Sequence, residues 1–98
     1  MKIESKKNGT TLTITMEGRL DTVTTPDLEM ELKSQLEGVT ELILDFGGVG
    51  FISSAGLRTI LWAQKQIPDK NGVTLKNVNE NVREVFELTG LNDILNIE

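Results

Sequence analysis

The sequence predicts an α/β protein: a small mixed β-sheet, its first strand antiparallel and the rest mainly parallel, with helices packed mainly on one face. Three observations lead there. Asn8-Gly9 joins two short strand-like runs, and a connection that tight allows only an antiparallel hairpin. Later strand-like runs alternate with amphipathic stretches of helical length, and strands joined through helices pair in parallel by right-handed crossovers. The third is the stretch from Leu42 to Trp62, which reads as strand, turn, helix. Its apolar residues are continuous before the glycines, as in a strand buried on both faces, and after Ser54 they return at helical spacing as Leu57, Ile60 and Leu61.

Taken in order, residues 2–7 form a polar edge strand, and Thr11 to Met16 alternates, with Leu12, Ile14 and Met16 on one face and threonines on the other. Gly18-Arg19-Leu20-Asp21 ends that strand. Thr25 as N-cap, Pro26 at the first helical position and Asp27 in the first turn then start a helix, which carries Leu28, Leu32 and Leu36 and stops near Gly38. Beyond the central strand and helix, Pro68-Asp69-Lys70-Asn71-Gly72 is a turn cluster and residues 73–78 a further strand. Asn79 caps a last helix bearing Val82, Val85 and Phe86, with Gly90 as its stop, and Leu91, Ile94, Leu95 and Ile97 remain for a closing segment. No repeat, linker or low-complexity tract interrupts this order, so residues 1–98 are expected to form one domain.

Composition narrows the chemistry. The net charge of −5 disfavours direct contact with nucleic acid or anionic lipid, and the only adjacent basic pair is Lys6-Lys7. Absence of cysteine removes disulfides, thiolates and Cys-based metal sites, and absence of histidine removes the commonest general base and transition-metal ligand. No apolar run approaches the ~20 residues of a membrane span, and the N-terminus is too polar for a signal peptide. The expectation is a cytoplasmic protein without membrane insertion, metal or cofactor. Asn8-Gly9-Thr10 matches a glycosylation acceptor, but the hairpin turn accounts for it.

Enzyme motifs fail one after another. Asp45-Phe46-Gly47 spells the kinase magnesium triplet, in a chain too short for the parts that give it meaning. Gly48-Val49-Gly50-Phe51-Ile52-Ser53 approximates a dinucleotide fingerprint, with Ser53 at the third glycine and Phe51 crowding the pyrophosphate. No lysine completes a phosphate loop, and no glycine stands two residues before either serine as a nucleophile elbow requires. The protein is therefore not expected to be an enzyme.

Ser53 and Ser54 fall where a helix begins. Free N–H groups and the helix dipole favour a capping hydroxyl or a phosphate there, and capping alone would explain both serines. Asp21 is either an acid site or a turn residue binding its own backbone. Trp62 lies off the apolar stripe, to cover a neighbouring element or to stand as a contact anchor.

Phe51-Ile52-Ser53-Ser54-Ala55-Gly56-Leu57-Arg58, with Gly18-Arg19-Leu20-Asp21, the Leu-Ile-Leu-Asp-Phe strand and Leu88-Thr89-Gly90-Leu91, resembles the STAS family, and within it the bacterial anti-sigma factor antagonists. The resemblance covers essentially the whole chain and implies a STAS-like fold. It also implies an antagonist that binds an anti-sigma factor and serine kinase, is phosphorylated by it and released, and is reset by a PP2C-type phosphatase. On the family motif Asp-Ser-Ser/Thr-Gly-Leu the modified serine falls at Ser54, with Ser53 in place of Asp as a competing acceptor and Ala55 at the following position. Asp21, Ser53, Ser54, Gly56 and Arg58 are the implied partner surface, Arg58 either pairing with the phosphate, touching the partner or remaining solvated. A monomer or weak dimer is expected. The alternative is a STAS scaffold subunit of a larger assembly, for example beside a membrane transporter, in which the serines only cap.

Overall fold

The computed structural model describes residues 1–67 and 72–98. β1 (Lys2–Asn8) and β2 (Thr11–Leu20) form the expected hairpin around Gly9, whose φ of 64° is the left-handed value such a turn needs. There follow α1 (Thr25–Gln35), β3 (Glu41–Ile52), α2 (Ser54–Gln66), β4 (Val73–Lys76), α3 (Glu80–Thr89), a 3-10 turn at Leu91–Asp93 and β5 (Asn96–Ile97). The strands lie in sequence order, β1-β2-β3-β4-β5, and the last four are parallel. The predicted turn cluster lies outside the described residues except for Gly72, whose carbonyl accepts from the Leu42 N–H at 2.6 Å.

This topology dictates where the core sits. Each crossover moves the chain one strand further in the same direction, and right-handed crossovers then deposit every helix on the same face. Facing them in register are Leu12, Leu42 and Val73, then Ile14, Leu44 and Leu75, all fully buried. Leu28 and Leu32 of α1, Ile60 and Ala63 of α2 and Val82 and Phe86 of α3 complete the core. Phe86 meets Phe46 edge to face, with ring centroids 6.2 Å apart. At the sheet edge, the Ser5 hydroxyl donates to the Glu31 carboxylate, and Lys7 Nζ donates to the Gln35 and Glu37 carbonyls at 3.2 and 3.0 Å, a cation at the end of α1.

Several expectations are corrected. β3 is buried on one face only: Ile43 and Asp45 lie on the face opposite the helices and are half-buried, because no helix covers it. Nor do the glycines make the turn. Gly47, Gly48 and Gly50 lie inside β3, where the pairing with β2 slips twice, between Thr15 and Glu17 and between Gly18 and Arg19. At each slip β3 carries an extra residue, a bulge that glycine accommodates; a Cβ on Gly48 would stand 2.9 Å from the Met16 carbonyl oxygen. β2 consequently runs on to Leu20 beyond Met16, and β4 stops at Lys76, before Asn77 turns left-handed at φ 59°. Thr24, rather than Thr25, is the residue preceding α1. Thr25 is buried as its first residue, and its Oγ1 has no partner among the described residues. The closing segment supplies the short fifth strand.

The N-terminal turn of α2 packs against the ends of β2 and β3 at Gly56. A Cβ there would lie 2.8 Å from Ile52 Cγ1 and 3.0 Å from Leu20 Cγ, both in buried side chains. Alanine would gain roughly 1 kcal/mol of helix propensity but incur about 1–3 kcal/mol of overpacking. Since both neighbours are fixed in the core, Gly56→Ala is expected to destabilise by about 1 kcal/mol net, read as a lower urea midpoint; an unchanged or higher midpoint would show that α2 can lift freely. Phe86→Ala empties the site opposite Phe46 and is expected to cost about 3–5 kcal/mol in the same measurement. A loss below about 1 kcal/mol would mean that α3 contributes little to the core.

Candidate functional site

Leu20 and Ile52 are the last residues of two adjacent parallel strands and stand opposite one another. The residues that follow them, Asp21 and Ser53, therefore emerge side by side, and the Ser53 N–H donates to the Leu20 carbonyl at 2.8 Å. Ser53 is extended, at φ −92° and ψ 171°, and its side-chain oxygen accepts from the Gly56 N–H at 3.3 Å. Its carbonyl receives the first bond of α2, from the Leu57 N–H at 3.0 Å. Ser53 is the N-cap by every criterion.

Ser54 is thereby released from capping. It is the first residue of α2, exposed, and its hydroxyl has no hydrogen-bond partner among the described residues. Two serines that look equivalent in the sequence thus differ in structure: one is tied to the backbone and half-buried, the other is accessible.

Asp21 builds the neighbouring turn. Its Oδ1 accepts from the Val23 and Thr24 N–H groups at 2.9 and 3.0 Å and from the Thr24 hydroxyl at 3.2 Å, the Asx-turn arrangement. Arg19 Nε lies 3.9 Å from Oδ2. The bond from the Thr24 N–H holds the Asp21 carboxyl below its ordinary pKa against the opposing effect of desolvation; the Val23 N–H, the Thr24 hydroxyl and Arg19 add to the lowering. The group is therefore an anion at neutral pH. Its contribution to the turn is complete above the ordinary carboxylate pKa and fades as pH falls through the lower folded value.

Arg58 lies one helical turn beyond Ser54, exposed, with no ion pair among the described residues. It borders a groove of about 300 Å³ between the first turns of α1 and α2, with Thr22, Thr25, Glu29 and Trp62 among the other walls. Trp62 is half-buried against α1, and Lys33 Nζ sits 5.8 Å from its ring centroid, so it covers a neighbouring helix. Asp21, Ser53, Ser54 and Gly56 are thus gathered at one rim of the sheet, with Arg58 above them.

Two side chains at that rim escaped the sequence reading. Arg19 and Phe51 stand opposite one another across the second bulge, and the guanidinium lies 4.2 Å from the ring centroid. Their juxtaposition depends on the slipped register, which leaves no local signal. Val23, in the Asp21 turn, is 82% exposed and Phe51 39%, apolar surface on a rim otherwise polar. The strand order never reverses, so the sheet has no switch point of the kind that opens a crevice in doubly wound enzymes. Among the described residues, no group of three or more His, Cys, Asp or Glu side chains is placed to hold a metal ion, and no helix is long and apolar enough to cross a membrane.

Known proteins share this architecture. The STAS domain family model matches residues 2–98. BtrV of Bordetella bronchiseptica, provisionally assigned as an anti-sigma factor antagonist, is 36% identical over 92 residues, covering 92% of this chain and 79% of BtrV. The anti-sigma-B factor antagonist of Bacillus subtilis is 26% identical over 98 residues, covering 99% of this chain and 90% of that protein. The Bacillus antagonist SpoIIAA superposes with a TM-score of 0.84 in its unphosphorylated form, at 22% identity, over 99% of this chain and 88% of SpoIIAA. Its phosphorylated form gives 0.75, at 21% identity, over 99% and 91% of the two chains. The family match over residues 2–98, the 36% identical relative and the shared fold agree, and the chain belongs to the STAS domain family, among the relatives of the bacterial anti-sigma factor antagonists.

Proposed function

We propose that the protein is an anti-sigma factor antagonist, regulated at Ser54, that binds an anti-sigma factor with serine kinase activity while unmodified and is released once phosphorylated. The observation that carries this reading is the division of labour between the serines: Ser53 caps α2, and Ser54 presents an exposed hydroxyl at the helix start with no hydrogen-bond partner among the described residues. In the transfer, Ser54 Oγ attacks the γ-phosphorus of ATP held by the kinase. The new P–O bond forms as the bond to ADP breaks, and the serine proton passes to a base on the kinase. The antagonist is then the substrate of an enzyme rather than an enzyme, with a PP2C-type phosphatase restoring the hydroxyl in the cytoplasm.

Release follows from surface charge. A phosphoserine carries about −1.5 to −2 charges at pH 7, and a helix N-terminus tolerates it, so the fold survives. A partner seated over Asp21, Ser53, Ser54, Gly56 and Arg58 must desolvate that dianion, which costs several kcal/mol unless it is fully paired. Sigma-factor-dependent transcription is the output on this reading.

Incubation with the cognate anti-sigma kinase and ATP, followed by mass-spectrometric mapping, tests the assignment. Phosphate is expected at position 54 in the parent and in Ser53→Ala, and none in Ser54→Ala; loss of the Ser53 cap alone should cost about 0.5–2 kcal/mol of stability. Phosphate at position 53, or retained in Ser54→Ala, contradicts the assignment. Absence of phosphate throughout, with the chain held constitutively in a larger assembly, would favour the scaffold alternative.

A further inference from the structure

We infer that Arg58 holds the phosphate of Ser54 against α2, and that a neutral serine rather than a carboxylate at position 53 keeps the second ionisation of that phosphate easy. The inference rests on the proposed modification of Ser54 and concerns what happens to the phosphate once attached. Ser54 and Arg58 are separated by four residues on one helix, a spacing that brings Cβ atoms to about 6 Å and puts the anion on the N-terminal side, where the helix dipole reinforces the pair. Both side chains are exposed. The guanidinium offers a planar fork suited to phosphate oxygens.

The surrounding ionisable groups leave Arg58 available. Across the groove on α1, Glu29 is ion-paired to Lys33 at 2.8 Å, and Asp27 lies in the first turn of the same helix. At the rim, Asp21 is engaged by two N–H groups and lies 3.9 Å from Arg19. No carboxylate among the described residues lies within ion-pair distance of Arg58. Immediately before the acceptor, Ser53 caps α2 as a neutral group. A phosphate on Ser54 therefore has, one turn along its own helix, a guanidinium with no ion pair among the described residues, and a neutral residue immediately before it, while the rim carboxylate Asp21 is held in its own turn. The modified surface consequently differs from the unmodified one in two ways: a dianion is added, and Arg58 is withdrawn from any partner.

The test uses the full chain with phosphoserine installed at position 54 during translation, titrated by 31P NMR. The second phosphate pKa is expected below its ordinary value of about 6. It should rise by about 0.3 in Arg58→Gln, the size of an exposed pair one turn apart, and rise again in Ser53→Asp, which retains a capping oxygen and adds a like charge. Far-UV circular dichroism checks that α2 is intact in each variant. An unchanged titration in Arg58→Gln overturns the role of Arg58, and an unchanged titration in Ser53→Asp overturns that of the neutral cap. No kinase enters the measurement, so failure of the enzymatic reaction would sink the switch without touching this result, and the reverse holds equally.

Discussion

A missing Cβ governs the site. Gly56 lets the first turn of α2 rest directly on Leu20 and Ile52, where any side chain would stand within 3.0 Å of both. That contact ties the start of the helix to the ends of two strands whose own positions are set by the core beneath. Ser53, between strand and helix, is held from both sides, its N–H bonded to the Leu20 carbonyl and its oxygen to the Gly56 N–H. With the cap so fixed, the next residue can only begin the helix facing outward. The accessibility of Ser54 is thus a consequence of packing at the rim, carried through one backbone turn.

Electrostatics acts on that geometry locally. The chain carries a net charge of −5, yet the α2 start combines a helix dipole, a neutral cap and, one turn away, a guanidinium with no ion pair among the described residues. Asp21 beside it is held as an anion by the N–H groups of its own turn and lies near Arg19, which in turn stacks on Phe51. Such a rim suits a contact that must be made in one charge state and lost in another. Its apolar components, Val23 and Phe51, are surface that a partner of the proposed kind could bury, while the proposed switching group is a single hydroxyl.

Much of this was legible in the chain because the signals were local. Asn8-Gly9 announces a hairpin, the alternation of Leu12, Ile14 and Met16 announces a half-buried strand, and Asn79 and Gly90 cap α3 as expected, Gly90 in the left-handed conformation at φ 76°. What was hidden depends on partners distant in sequence. The run Leu42-Ile43-Leu44 resembles a doubly buried strand, and only the common direction of the crossovers leaves Ile43 on the open face. Gly47, Gly48 and Gly50 resemble a turn, and only the slipped pairing with β2 explains them as bulge positions, Gly48 being the one that lies against Met16 and Glu17. The pairing of Arg19 with Phe51 follows from those bulges. Likewise, two adjacent serines are chemically interchangeable until the docking of α2 selects which one caps.

The central claim, that one exposed hydroxyl decides whether the protein is gripped or let go, is tested most directly by comparing two forms of the chain for binding to the anti-sigma kinase by calorimetry. One form is unmodified and the other carries phosphoserine at position 54. The account predicts that the phosphorylated form binds at least about 100-fold more weakly while its fold is unchanged, as expected when a dianion must be desolvated in the contact. Equal affinity of the two forms would contradict it.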